Sequence, residues 1–524
     1  MTPSPTLDTQ LARLLAGHPA ALRGGRKGLE KESLRVNARG CLAHTPHPRA
    51  LGAALTHPGI TTDYSEALIE LVSAPFADIR DTLHELCDIH GFVYRNLDDE
   101  MLWATSMPCL LENDADIPIA EYGRSNIGMM KHVYRRGLGY RYDRAMQTIS
   151  GIHFNYSFPD TLWPLLQAQH HDTRPLREFT DDAYFGMLRN FQRVSWLLLY
   201  LFGASPALCK SFLRGHNPGF SEFDANTWYE PFATSLRMSD IGYKNKNQAR
   251  VGVSYNSLDD YIRTLTHAIS TPEPEYQAIG VKVEGEYRQL NANILQIENE
   301  FYSFIRPKQP IRRGERPTLA LRKRGVMYAE VRALDVNVFE PLGTSAHSLQ
   351  FIEALLIWCL LCDSPPLDAA EQAAIARNQS ETARHGRDPG LHLLRDGGNT
   401  LPLRAWAKEI TDQLDGICTA LDGEDPAKPY TTSLALQREA VDDPERTPSA
   451  RILADMRAHG ESFFHFARRL SERHREFFRQ RGLSAAAAAS LAKLAEKSLA
   501  DQAALEAADT LSFDDYLKQY FAQT

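Results

Sequence analysis

Gly28-Leu-Glu-Lys-Glu-Ser-Leu-Arg-Val36 alternates along its length. As an extended strand it places Glu30 and Glu32 on one face and Lys31 and Arg35 on the other, because successive side chains of a strand point to opposite sides. Three further stretches carry related patterns. Ile149-Ser-Gly-Ile-His-Phe-Asn-Tyr-Ser-Phe158 sets Ile152, Phe154, Tyr156 and Phe158 against Gly151, His153, Asn155 and Ser157. Val326-Met-Tyr-Ala-Glu-Val-Arg-Ala-Leu334 sets Tyr328, Glu330 and Arg332 against Met327, Ala329, Val331 and Ala333. In Thr61–Val72, Glu66 and Glu70 share a face, Asp63 stands at the entry in a turn, and the apolar run around Glu70 marks it as an inward-facing acid. A fifth strand is expected over Ile294–Phe304, with Glu298, Glu300 and Tyr302 on one face. Those two acids are not assigned as ligands.

One antiparallel sheet that turns these polar faces to a common cavity would gather several carboxylates and one imidazole. Two carboxylates about 4 Å apart repel by roughly 4 kcal/mol at an effective dielectric near 20, so such a cluster calls for cations. Oxygen-rich sites that tolerate one imidazole suit Mg²⁺ or Mn²⁺, the usual partners of nucleotide phosphates. A solvated strand face is the plainer reading of each stretch alone. It does not explain why the pattern recurs.

A basic and aromatic set accompanies the acids. Arg237 and Tyr243 lie in ATSLRMSDIGYKNKNQ together with Lys244 and Lys246, Arg332 is two residues from Glu330, Tyr302 and Arg306 lie in EFYSFIRPK, and Tyr134 and Arg135 lie in HVYRRGLGYRY. Arginine recognises carboxylate or phosphate through two parallel hydrogen bonds, and tyrosine walls a pocket while offering a hydroxyl.

The rest of the chain bounds the answer. Its 524 residues carry 58 basic and 66 acidic side chains, a formal charge of -8, which argues against a nucleic-acid binder. The apolar runs Trp196–Ala204 and Ala354–Cys362 are about half of the roughly 18–20 residues needed to span a membrane. Seven cysteines at irregular spacing, without a secretory signal, point to free thiols in a reducing cytoplasm. No phosphate-loop or dinucleotide fingerprint occurs. His84 and His90 are six residues apart, whereas a zinc-protease pair needs a spacing of four. Cys359 and Cys362 lie in an apolar helical pattern and read as core.

Helices are expected over residues 7–25, 78–96, 180–202 and 346–362, with a loop-rich segment at Gly203–Tyr255 as a candidate lid. Residues 448–524 are rich in strong helix formers. The organisation read from this is an α+β catalytic core over residues 1–365 and a helix-rich region over residues 366–524 packed on it.

Six blocks, GRKGLEKESLRV, HPGITTDYSEALIELVS, RAMQTISGIHFNYSFP, FATSLRMSDIGYKNK, LQIENEFYSFIRPK and YAEVRALDVN, resemble in order the signature blocks of the proteobacterial-type glutamate–cysteine ligases, also called γ-glutamylcysteine synthetases. The resemblance covers roughly residues 20–365 and is looser beyond. It implies ATP-dependent ligation of the γ-carboxylate of L-glutamate to the amine of L-cysteine, the first step of glutathione synthesis. Ligation to another acceptor amine is the alternative within the same chemistry. The resemblance also implies a glutamine-synthetase-like curved antiparallel sheet forming a funnel, and it leans toward a monomer. Carried over by motif, Glu30, Glu32, Asp63, Glu70, His153 and Glu330 resemble the metal ligands, with Glu330 also counted as catalytic. Arg237 and Arg332 resemble catalytic anion-binding residues. Tyr64, Tyr134, Leu138, Gln147, Tyr243 and Tyr302 resemble the wall of the cysteine pocket. Tyr64 stands where the family pattern implies Phe, which keeps the ring and adds a hydroxyl.

Overall fold

The computed structural model describes residues 6–111, 113–242, 251–395 and 398–523. Tyr243, Lys244 and Lys246 lie outside them. The site is organised by a seven-stranded sheet made of β1 (Arg26–Val36), β2 (Ile60–Thr62), β3 (Leu68–Val72), β4 (Met101–Leu102), β5 (Gly151–Ser157), β6 (Ile305–Lys308) and β7 (Tyr328–Asp335). The order is β6–β7–β5–β1–β3–β2, with β4 beside the end of β1, and every pair is antiparallel. Helices surround it, so the chain is α+β.

Alternation and register together set the polar face. Glu32 pairs with Glu70 across β1 and β3, Glu30 pairs with His153 across β1 and β5, and Glu330 pairs with Asn155 across β7 and β5. Directly opposed residues of an antiparallel pair point to the same side, so these six side chains share one face. The other face of β1 is buried as well. There Arg35 donates to Thr45 and Glu100, and the Lys31 ammonium lies 3.0 Å from His90 Nε2.

Three expectations need correction. Residues Ile294–Phe304 do not form a strand. Glu298–Glu300 is a short 3-10 turn and β6 starts only at Ile305, because Glu298 and Glu300 reach to different partners, Arg316 and Arg141. Gly203–Tyr255 is not all loop: Ala207–Cys209, Ser221–Asp224 and Thr227–Tyr229 form a small separate sheet. Glu66 also leaves the strand face. Its carboxylate accepts the backbone N–H groups of His47 and Glu121.

Helix α1 (Ile79–Arg95) is capped by Asp78 and α2 (Asn126–Tyr142) by Ser125, whose side chains accept otherwise unpaired N–H groups of the first turn. Helices α3 (Leu176–Val194) and α4 (Ala346–Leu361) pack on each other, and α4 is buried nearly all round. In the later part of the chain, α5 (Phe463–Arg481) and α6 (Ala485–Ala508) lie against α1, and α7 (Phe513–Phe521) lies against α2. One apolar core runs through residues from Leu7 to Leu483, and a smaller one joins Leu517 and Tyr520 to Met130 and Val133. Among the described residues, no helix is long and apolar enough to cross a membrane.

Candidate active site

His153 is the centre of the acidic face. Its Nδ1 lies 2.9 Å from Glu30 Oε2 and 3.9 Å from Glu330 Oε1, and its Nε2 lies 3.7 Å from Glu32 Oε1. Two groups of possible ligand atoms meet here, Glu30–His153–Glu330 and Glu32–Glu70–His153, each within 4.8 Å. The remaining contacts orient the acids. Asn155 donates to Glu30 Oε1, and the Gly151 N–H donates to Glu32 Oε2. Lys308 and Arg332 approach Glu330 Oε1 to 3.3 and 3.2 Å. Glu330 Oε2, although buried, has no hydrogen-bond partner.

Crowding shows in the electrostatics. Burial and repulsion from Glu30, Asp63 and Glu32 push the Glu70 carboxyl well above the usual range. Burial raises Glu32, with Asp63 adding to it against His153. Burial would also raise Glu330, but Lys308, Arg332, His153 and Arg306 together hold it below the usual carboxylate range. For Glu30, burial is the largest influence and raises it, but the bond and charge of His153 together with Lys308 bring the net direction down. A buried acceptor without a partner, beside carboxylates that repel one another, fits hard divalent cations with oxygen ligands and one imidazole. Asp63 is more open, with its side chain 40% exposed, and sits outside both groups with Arg135 Nη2 at 4.0 Å.

Two connected cavities open from this face. The larger, about 1180 Å³, is lined by all six acid and histidine positions and by Lys131, Arg306, Lys308 and Arg332. The smaller, about 750 Å³, shares Glu32, Asp63, His153 and Arg332, and brings together Tyr64, Tyr134, Leu138, Gln147, Arg237 and Tyr302. Every described residue expected to act from the sequence thus lies on one of these two walls.

Helix α2 builds much of the boundary. Its residues Lys131, Tyr134, Arg135, Leu138 and Tyr142 recur at helical spacing and all line a cavity. Tyr302 donates to Met238 Sδ at 3.2 Å, and the Arg332 guanidinium lies 5.9 Å from the centre of its ring. Tyr64 is buried and its hydroxyl has no partner; a Cβ on Gly139 would lie 2.6 Å from it.

Sequence reasoning missed Lys308, which alternation along Ile305–Lys308 places with Arg306 on the same face as Glu330. It also missed Tyr516 and Tyr520 of α7, which line the larger cavity. No local signal connects a helix near residue 520 with a strand at residue 30.

Comparison with known proteins agrees with this geometry. The glutamate-cysteine ligase family profile matches residues 12–382. The chain belongs to the glutamate–cysteine ligase family. It is 49% identical to a glutamate–cysteine ligase of Alcanivorax borkumensis over 97% of this chain and 98% of that protein. It is 50% identical to one of Azotobacter vinelandii, covering 97% of each. The crystal structure of a Francisella tularensis glutamate–cysteine ligase in complex with AMP superposes with a TM-score of 0.90 at 38% identity, covering 95% of this chain and 98% of that one.

Proposed function

We propose that the two connected cavities carry out one reaction, the ATP-dependent joining of L-glutamate to L-cysteine that opens glutathione synthesis, with the triphosphate in the larger cavity and the acceptor amino acid in the smaller. The observation that carries this reading is the change of lining. Glu30, Glu70, Glu330 and Lys308 line only the larger and suit a polyanion held with cations, Tyr64, Leu138, Gln147 and Tyr302 line only the smaller and suit a small, partly apolar amino acid, and Tyr134, Arg306 and Arg332 border both. Family membership supports the same reaction. In this reading Tyr243 belongs to the acceptor wall.

Glu30, Glu32, Asp63, Glu70, His153 and Glu330 would hold Mg²⁺, or Mn²⁺ in its place. Such ions would neutralise the charge of the phosphates. Arg332 and Arg237 hold substrate oxygens by charge-assisted hydrogen bonds. The glutamate γ-carboxylate displaces ADP from the γ-phosphorus to form γ-glutamyl phosphate. The cysteine amine then attacks the acyl carbon, loses a proton and expels phosphate. Burial of the acids and arginines keeps water from the acyl phosphate. The funnel-shaped curvature of the sheet, the candidate lid over Gly203–Tyr255, a cytoplasmic setting and a monomeric state belong to the same reading. The seven free cysteines support the reducing setting.

The reading is amended in one respect. The division into a core over residues 1–365 and a helical region over 366–524 is kept, but Tyr516 and Tyr520 give the second part a share in the larger cavity. The test is an ADP-release assay with glutamate, cysteine and Mg²⁺ omitted in turn, and with alanine or 2-aminobutyrate replacing cysteine. Full turnover should require all three components and prefer cysteine. Equal turnover with the other amines would replace the acceptor assignment.

A further inference from the structure

Asp335 is the last residue of β7, and strict alternation would put it on the face opposite Glu330 and Arg332. The register does not follow strict alternation. Glu330 pairs with Asn155 and Val331 with Phe154, but Leu334 pairs with Ile152 and Asp335 with Gly151. One extra residue is therefore taken up between Val331 and Leu334, opposite His153. Such a bulge reverses the direction of every side chain beyond it. Asp335 thus faces the same side as Gly151 and His153, toward the cavities.

The carboxylate there is fully buried and held from three sides. The hydroxyls of Ser205 and Ser235 donate to it at 2.6 and 2.9 Å, and the Ala204 N–H donates at 2.8 Å. Arg237 Nη1 lies 3.6 Å from Oδ1, the oxygen that Ser235 also bonds. Arg237 is tied to the same assembly at two further points. Its backbone N–H donates to Ser205 Oγ at 3.2 Å, and its Nη2 donates to the Arg332 carbonyl at 3.2 Å. The guanidinium crosses β5 at Gly151, where any Cβ would collide with it. Residues 203–239 meet the sheet at this point, and the charge that fixes the meeting is Asp335.

We propose that Asp335 is the positioning residue for Arg237: brought to the cavity side by the bulge in β7, it fixes the guanidinium over Gly151 so that the fork faces the smaller cavity. This rests on the reading of Arg237 as a substrate-binding group, and the experiment separates the two. Misplacing a binding group by about 1 Å can cost on the order of 10²-fold. Asp335→Asn should therefore lower kcat/KM for glutamate and cysteine by about 10–100-fold at saturating ATP, with KM for ATP moving less than about twofold.

The deciding measurement is a double-mutant cycle with Arg237→Ala. On that background Asp335→Asn should cost less than about threefold, because the group it positions is gone. Ser235→Ala, which leaves the carboxylate charge in place, should show a smaller loss with the same dependence on Arg237. It carries the test if Asp335→Asn does not fold. Equal losses on both backgrounds, or no loss in the Arg237 protein, would overturn the proposal. A severe loss in Arg237→Ala with wild-type behaviour of Asp335→Asn would overturn the positioning role alone. Near-normal kinetics of Arg237→Ala would overturn the reading of Arg237 itself.

Discussion

The acids on β1, β3 and β7 and the acids of the Glu298–Glu300 turn look alike in the sequence, and most are equally buried, yet they are partnered in opposite ways. Glu300 receives Arg141 Nη1 at 2.9 Å, the Tyr142 hydroxyl at 2.6 Å and the Gln296 N–H at 2.7 Å. Glu298 receives Arg316 and the Thr318 hydroxyl. Each of these carboxylates has its own arginine. Around His153, by contrast, Glu32 stands directly opposite Glu70, and Glu30, Glu32 and Glu330 crowd one imidazole. A buried charge that is paired serves the fold, and breaking the pair is costly. A set of buried charges that repel one another costs stability unless something else is bound. Acid facing acid, rather than burial or alternation, separates the two regions.

The comparison is broken most directly at its extremes. Glu330→Gln should reduce ADP release by about 10³-fold or more if the residue holds cations at the phosphates, in a protein that still folds. Near-normal turnover would remove the acids from the mechanism. Glu300→Gln should act on stability instead. It leaves Arg141 buried without its charge partner and should cost about 3 kcal/mol, read as a lower urea midpoint. An unchanged midpoint would show that this turn does not depend on its ion pair.

Divalent ions offer a finer cut. Millimolar Mg²⁺ should raise the melting temperature of the parent protein, since a ligand that binds only the folded state stabilises it, and a chelator should reverse the shift. Glu70→Gln should melt higher than the parent without Mg²⁺, because one repelling acid is gone, and gain less when Mg²⁺ is added. A full Mg²⁺ increment in that variant would detach Glu70 from the cation set. The smallest effect is expected at Tyr64→Phe. Its hydroxyl is buried without a partner, so removal should change stability by no more than about 1 kcal/mol and in the favourable direction. A clear loss of stability would mean that the hydroxyl is satisfied in solution.

Much of this site was legible because it is written in a period of two. β1, β5 and β7 fall where Gly28–Val36, Ile149–Phe158 and Val326–Leu334 alternate, and the metal-type residues chosen on them do converge on His153. What failed to show has physical causes. Glu298, Glu300 and Tyr302 alternate too, but Glu298–Glu300 is wound into a turn whose acids reach for Arg316 and Arg141, distant in sequence from one another. Asp335 was hidden by a bulge that changes the parity of its strand. Lys308 could have been read from the alternation of Ile305–Lys308. Tyr516 and Tyr520 could not, because their place depends on α7 docking against α2.

That docking has a consequence for how the site comes into being. The side chains that border the larger cavity span the chain from Glu30 to Tyr520. Growing from its N-terminus, the polypeptide would have all six acid and histidine positions once residue 330 is made, but the tyrosine wall only some 190 residues later. A chain cut at residue 512 keeps every proposed cation ligand and loses α7, together with the bond by which Arg316 Nη1 is held to the Gln523 carbonyl. The proposed cation ligands and the α7 wall of the cavity they face are thus contributed by parts of the chain synthesised at different times, and truncation or fusion at the far end would alter the larger cavity without removing any proposed cation ligand.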